Sequence, residues 1–380
     1  MQLSPETLGL AEELKSLRRT LHRIPEEGLK EFRTQRYILE YLRSIGVEAA
    51  PMAGTGAKAV IKGALPGPVT ALRADMDALN VPERTGNGFE SEHPGWMHAC
   101  GHDGHMAMLL SAARLLHENR QRLRGTAVLL FQPCEELVSG AGLMMEEGAL
   151  GNPPVERIFA LHLMPHIDEG TIGVVAGPAM AAACEFRIIV EGAGAHGAMP
   201  HMGVDAVMAA AQFVVGAQAV ISRCKPPEAP GLLTFGRFEG GTRHNIIAGK
   251  AELEGTLRCY DGALMRTLRE RLLKHLRGME EAWGVRAQFE ELSSVPAVVN
   301  DPALAQLAQE VYPEACKPAE RLMVAEDFSR YGETAPGFMG FLGCRNEARG
   351  FTRPLHTDGF DFDENALLVG LEFYSRLLIS

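Results

Sequence analysis

Short apolar runs that each close on a polar cluster constrain this chain more than any other feature. VTALRAD (69–75) leads into Asp75 and Asp77, GTAVLLFQ (125–132) into Glu135 and Glu136, and RIFALHL (157–163) carries His162 near its end, with His166 following. Runs of this length without polar alternation are of the kind buried on both faces, as central strands of a parallel sheet are. Helical stretches are expected between them, at 106–117 and 140–147. Strand–helix alternation predicts an α/β fold: a mostly parallel central sheet flanked by helices. In such sheets ligands bind in the crevice beyond the carboxyl ends of the strands, where these clusters fall. Each cluster alone is more often a helix cap or a solvated loop; their convergence changes the odds.

The remaining segments fill out two domains, the default for 380 residues. Ser4 as cap, Pro5 at the first position and Leu8, Leu10, Leu14, Leu17 and Leu21 at helical spacing predict one N-terminal helix. A second helix is expected over 31–45, stopped by Gly46, and KAVIKG reads as a strand. From 185 to 292 the pattern changes to EFRIIVEG (strand), 203–222 (helix), LLTFGRFEG and GKAELEGTLRCY (strands), 262–283 (helix) and VRAQFEEL (strand). That βαββαβ order is the ferredoxin-like unit. The expected organisation is therefore a discontinuous α/β domain, 1–183 and 293–380, interrupted by a smaller domain over 184–292.

Composition excludes some partners. A net charge of −11 argues against a general nucleic-acid or anionic-membrane surface. No run approaches about eighteen consecutive apolar residues, so no membrane span is expected. The opening MQLSPETLGLAEELKSLRRT lacks the apolar block of a signal peptide. Seven scattered cysteines, an odd number, fit free thiols in a reducing compartment, which predicts a cytoplasmic protein. Cys184, Cys224, Cys259, Cys316 and Cys344 are expected to be buried thiols.

The densest chemistry lies in MHACGHDGHM (97–106). Gly101 and Gly104 permit a sharp turn there, and Cys100 beside a helix start is expected to be largely thiolate. A thiolate is either a nucleophile, with His102 or His105 as its base, or a metal ligand. The first option leaves Glu135 and Glu136 without a role. The second employs every cluster, since thiolate, imidazole and carboxylate are the ligands of zinc and related ions. One glutamate then binds metal while its neighbour takes a proton from a water whose pKa the metal lowers towards ~7. His98, Asp103 and His105 are expected to support the ligands, His117 and His275 to lie on the surface, and His22, His93 and His244 carry no usable pattern.

Six stretches, LRADMDAL, MHACGHDGH, FQPCEE, GAGAHGAMPH, AEDFS and PLHTDGF, occur in this order and resemble the metal-dependent aminoacylase and carboxypeptidase family of amidohydrolases. The likeness is to the group containing hippurate hydrolase, N-acyl-amino-acid amidohydrolases and auxin-conjugate hydrolases, and spans LHRIPE (21–26) to residue 364. It implies a di-metal catalytic domain and a lid or dimerisation domain, acting as a homodimer or higher homo-oligomer. It further implies two divalent ions per subunit, Zn²⁺ or Mn²⁺ with Co²⁺ or Ni²⁺ as alternatives. Cys100 matches the residue bridging the metals; His102, Glu136, His162 and His356 match the other ligands, and Glu135 the general base. His196, preferred over His201 in the same loop, resembles the lid histidine that steadies the oxyanion in a neighbouring subunit. Asn245 and Arg258 resemble groups that receive a substrate carboxylate, although strand arginines more commonly pair with an acidic neighbour. Asp75 and Asp77 are expected behind the ligands. Cys134 stands where alanine is usual, and two customary prolines are missing, after Leu79 in LRADMDALN and after Ile247 in HNIIAGK. The implied reaction is amide hydrolysis of small N-acyl amino acids. A carboxypeptidase or dipeptidase on small peptides, a cysteine-nucleophile hydrolase and a non-catalytic binder are the alternatives.

Overall fold

The computed structural model describes residues 3–379. The N-terminal leucine stripe forms two helices where one is expected, α1 (Pro5–Gly9) and α2 (Ala11–His22). Ser4 does cap α1, but Glu372 accepts hydrogen bonds from the Ser4 and Thr7 hydroxyls at 2.7 and 2.6 Å. With α1 tied down this way and Gly9 offering little helical preference, the chain breaks at Leu10, leaving Leu8 exposed and Leu14, Leu17 and Leu21 buried.

Next come α3 (Phe32–Ser44), β1 (Ala49–Met52), β2 (Gly56–Lys62), β3 (Leu65–Asp75), α4 (His102–Glu118), β4 (Arg124–Gln132), α5 (Gly140–Glu146), β5 (Arg157–Asp168), β6 (Ile172–Val174) and β7 (Gly177–Met180). The elements β8 (Ala182–Glu191), β9 (Ala195–His196), α6 (Ala206–Arg223), β10 (Gly231–Gly240), β11 (Ile246–Ile247), β12 (Lys250–Cys259), α7 (Gly262–Trp283) and β13 (Arg286–Val295) follow. The chain ends with β14 (Val298–Asn300), α8 (Pro302–Val311), β15 (Cys316–Pro318), β16 (Gly337–Arg345) and α9 (Ala366–Leu378). Two compact units result. One comprises the chain through Ala179, Val298–Arg321 and the residues from Glu326 onward; the other comprises Met180–Ala297 with Leu322–Ala325. The second unit thus begins four residues before and ends five after the expected 184–292, and it recovers a short return segment that no sequence pattern announces.

The first unit is an α/β layer structure around an eight-stranded sheet of order β1-β2-β4-β3-β5-β16-β6-β15. β4, β3, β5 and β16 are parallel, so their carboxyl ends share one edge. Leu72, Ala74, Leu129, Phe131, Phe159 and Leu161 pack with α4 and α9 in the main core. Helix α4 is buried along most of its length, and burying Leu109, Leu110 and Leu116 contributes about 2 kcal/mol each. It starts four residues before the expected 106, which places His102, Asp103 and His105 on its first turn.

The second unit has the ferredoxin-like order, with an antiparallel sheet β10-β12-β8-β13. Phe186, Ile188, Val190 and Leu253 form its core with Phe213 of α6 and Leu272 of α7. Helix α6 is long and apolar enough to cross a membrane by length and composition, but Ala206, Ala209, Ala210, Phe213, Ala217 and Val220 on it are buried in that core. His275, expected on the surface, is stacked on Phe213 with ring centroids 5.0 Å apart.

Candidate metal centre

Three strand ends and two loops assemble the centre. Gly101 caps α4 in the left-handed region (φ +85°), and a Cβ there would lie 2.8 Å from Leu163 Cδ1, so only glycine lets Cys100 and His102 flank this turn without strain. After β4 the backbone turns sharply through Cys134 (φ +54°). Asp77 holds the following pair, its two carboxylate oxygens each accepting a backbone N–H, from Glu135 and from Glu136, at 3.0 Å. The loop carrying His356 is tied in by His356 N donating to Ala99 O at 2.8 Å.

These constraints bring together all five sequence-derived ligand candidates. Cys100 Sγ lies 3.5 Å from His162 Nε2 and 3.3 Å from His356 Nε2. Glu136 Oε1 lies 3.9 Å from His102 Nε2 and 3.5 Å from His356 Nε2. The tautomers are set from behind. His102 Nδ1 donates to Asp77 O at 2.9 Å and His162 Nδ1 to Leu163 O at 2.8 Å, so both Nε2 atoms face inward. His102 Nε2 and Glu136 Oε1 are buried without a hydrogen-bond partner among the described residues.

This donor set fits a divalent metal. A sulfur and a nitrogen bound to one tetrahedral zinc sit about 3.6 Å apart, close to the two Cys100–histidine separations. Groups able to hold an ion include Cys100, Glu136 and His356, and His102 with Glu135 and Glu136. His105 also lies close to His102 and His162, but its nitrogens are committed: Nδ1 to Asp75 Oδ1 at 2.6 Å, and Nε2 accepting Leu163 N–H at 2.9 Å. It braces the wall behind His162, as expected of a supporting residue.

Electrostatics correct one expectation. Burial, Glu136 and Glu135 push the Cys100 thiol well above its usual value, so this cysteine is not a thiolate by virtue of its place near a helix start. That direction disfavours a free cysteine nucleophile. Burial would lower His102, but Asp75 and Asp77 raise it to about 10, so a cation bound there would displace a proton from Nε2. Burial and the adjacent His105 hold His162 well below the imidazole range. Burial raises Glu136 to about 7, against the pull of His102. Burial, Glu326 and Glu136 push Glu135 well above the carboxylate range, the direction that suits a group which must both take and return a proton.

Other residues fall elsewhere. Asp103 turns away from the ligands and accepts Arg18 Nε at 3.0 Å and His22 Nδ1 at 2.8 Å. His98 is buried with neither ring nitrogen partnered among the described residues. His196, Asn245 and Arg258 belong to the second unit. His196 and Asn245 share the β9–β11 ribbon, where Gly197 N donates to Asn245 O at 2.8 Å, and both are exposed. Arg258 lies near the opposite end of β12 from that ribbon, its Nη1 on Met323 O at 3.2 Å and its Nη2 3.7 Å from Glu185. Sequence reasoning missed Arg73, Glu326 and Asp327, which meet in a buried network beside Glu135. The available signals were an arginine inside an apolar strand run and the stretch AEDFS, one of the six that carry the resemblance, in which sequence reasoning assigns Glu326 and Asp327 no role.

Comparison with known proteins decides the family. The model of peptidase family M20/M25/M40 matches residues 71–380. The chain belongs to that family. It is 37% identical over 364 residues to an N-acetyl-L-cysteine deacetylase of Bacillus subtilis, covering 94% of this chain and 86% of the relative. It is 35% identical over 370 residues to thermostable carboxypeptidase 1 of Saccharolobus solfataricus, covering 96% and 94%. A crystal structure of a dinuclear metal binding peptidase of the M20 family from Bacillus subtilis superposes with a TM-score of 0.84 at 33% identity, covering 97% of this chain and 98% of the other. The family agrees with the resemblance carried by the six motifs, and the chain is a hydrolase of amide bonds.

Proposed function

We propose that the chain hydrolyses the amide bond of N-acyl amino acids at a pair of divalent metal ions held by Cys100, His102, Glu136, His162 and His356. The observation that carries this is the meeting of two buried polar atoms without a hydrogen-bond partner among the described residues, His102 Nε2 and Glu136 Oε1, with a thiol and two further imidazoles at 3.3–3.9 Å spacings. Zn²⁺ or Mn²⁺ suits this mixed set best, with Co²⁺ or Ni²⁺ also compatible. Bound there, such ions supply Lewis acidity, lowering the pKa of water towards ~7 and polarising the amide carbonyl.

The protein's own groups do the rest. Glu135, adjacent to the ligand Glu136 and held by Asp77, takes the proton from the attacking water and delivers it to the leaving amine nitrogen. His196 steadies the oxyanion across a homodimer formed through the second unit, which serves as lid and dimerisation domain. Asn245, on the same ribbon as His196, and Arg258, near the other end of β12 and so from the other subunit of the dimer, receive the substrate carboxylate. The free cysteines are in keeping with a cytoplasmic enzyme.

A second reading, removal of a C-terminal residue from small peptides, is favoured by the carboxypeptidase relative. Both reactions use the same centre, so the test is a panel of N-acetyl amino acids, N-benzoyl amino acids and blocked dipeptides, assayed with and without chelator. N-acyl amino acids are expected to turn over fastest, with activity lost on chelation and restored by a divalent ion. Faster cleavage of the peptides would favour the second reading, and chelator-resistant turnover would sink both. Glu135→Ala should retain metal and lose roughly 10²–10⁴-fold in kcat.

A further inference from the structure

We propose that Arg73 is a positioning residue for this hydrolysis, its single guanidinium fixing the buried carboxylates that wall in Glu135; the inference rests on the proposed role of Glu135. Arg73 lies on β3 at 2% exposure. Its Nε donates to Gln132 Oε1 at 2.8 Å, its Nη1 to Asp75 Oδ2 at 2.6 Å, and its Nη2 to Glu326 Oε1 at 2.8 Å and Asp327 Oδ1 at 3.2 Å.

Three of these acceptors, Asp75, Gln132 and Asp327, have a second attachment leading to the centre. The other oxygen of Asp75 accepts a hydrogen bond from His105 Nδ1, and His105 Nε2 accepts the N–H of Leu163, the neighbour of the ligand His162. Gln132 ends β4 three residues before Glu135, and its Nε2 donates to Asp327 Oδ1 at 2.7 Å. Asp327 Oδ2 accepts Ala141 N at 2.9 Å, which anchors the start of α5, beyond the Glu135 turn. Carboxylate oxygens of Glu135, Glu326 and Asp327 lie within 4.8 Å of one another. Acids this close repel, and the cation that bonds Glu326 and Asp327 directly is Arg73.

The geometry requires arginine specifically. Three nitrogens pointing in fixed directions serve four acceptors at once, whereas an ammonium is a point charge on a flexible stem. A purely structural ion network predicts loss of stability alone; a positioning role predicts loss of rate in molecules that remain folded and metal-loaded.

The decisive experiment measures kcat, KM, metal content per chain and the ¹⁵N-histidine NMR spectrum for wild type, Arg73→Lys, Glu326→Gln and Glu326→Leu. Arg73→Lys is expected to keep wild-type metal content, to lose roughly 10²-fold in kcat, the effect of about 1 Å of misplacement, with KM within about threefold, and to move the His105 Nδ1–H resonance. Glu326→Gln, which keeps an oxygen for Nη2, should retain several-fold more kcat than Glu326→Leu, and this pair decides the matter if Arg73→Lys does not fold. Wild-type kcat in folded, metal-loaded Arg73→Lys, or equal rates for the two Glu326 variants, would overturn the proposal. A wild-type enzyme inactive on every N-acyl amino acid overturns the functional reading instead. The His105 resonance still reports whether Arg73 positions that wall.

Discussion

Replacing His22 by glutamine should reveal a stability contribution that switches off with rising pH. His22 is 1% exposed, between Asp103 Oδ2 at 2.8 Å from Nδ1 and Glu83 Oε1 at 3.0 Å from Nε2. Burial alone would lower its pKa, but Asp103 and Glu83 reverse that and raise it from 6.5 to about 9. A folded-state pKa above the unfolded one means that folding favours the protonated ring. The stabilisation is therefore complete below pH 6.5 and is lost as pH rises through about 9. The rise corresponds to about 3 kcal/mol. Wild type and His22→Gln would be unfolded in urea between pH 6 and 9.5, in a background with Trp283 changed to phenylalanine. Trp96 then reports the first unit alone, since the chain has two tryptophans, one in each unit. The gap between the two proteins should be widest at pH 6, narrow by about 3 kcal/mol across the window, and level off above it. Metal linkage is common to both proteins and cancels in the difference. A gap that does not vary with pH would refute the charged-imidazole account and leave only a packing role.

Gly101→Ala should destabilise the first unit by about 3 kcal/mol, from a left-handed residue acquiring a Cβ and from overpacking against Leu163, read as a lowered thermal midpoint; an unchanged midpoint would contradict the geometry. Asp77→Ala removes the acceptor of both glutamate N–H groups and should cost kcat roughly tenfold or more while loosening metal binding. Full activity at wild-type metal content would exclude that role. Mixing Glu135→Ala with His196→Ala subunits should restore about one quarter of wild-type activity, because half of randomly exchanged dimers are hybrids with one complete site each. No recovery despite proven exchange would count against His196 acting across the dimer.

The parallel core of the sheet was legible because β3, β4 and β5 are unbroken apolar runs, and a strand buried on both faces leaves that mark in sequence. The split of the first helix was not, because it depends on Glu372, more than 360 residues away, bonding Ser4 and Thr7. Cys100, His102, Glu136 and His162 were legible as candidates because metal donors cluster where strands end, whereas His356, on a loop, came only from the family resemblance. Arg18, His22, Arg73 and Glu326 were not, since a buried charge is tolerated only with its partners, and those come from distant segments: Arg18 meets Asp103 across 85 positions and Arg73 meets Asp327 across 254. Asp103 misled for the same reason. Its place next to His102 suggested support for the ligands, whereas a helix turn directs adjacent side chains to different faces, and Asp103 serves Arg18 and His22 instead.

The hydrogen bonds behind the centre explain why the inward-facing atoms are left without partners. A buried polar atom lacking a hydrogen bond costs about 1–3 kcal/mol, and among the described residues neither His102 Nε2 nor Glu136 Oε1 has a partner. The protein could relieve it by turning an imidazole over, but Asp77 O and Leu163 O accept the Nδ1 protons of His102 and His162 and hold each ring in one tautomer. Cys100 adds to this, since its single thiol proton can serve only one of the two imidazole nitrogens that face its sulfur. One kind of ligand resolves all of these at once: a cation that accepts lone pairs from nitrogen, sulfur and carboxylate oxygen, displacing the thiol proton. A cysteine acting as nucleophile would leave Glu136 and His102 still unsatisfied. The same unsatisfied atoms that lower the stability of the metal-free protein are therefore the source of its affinity for metal.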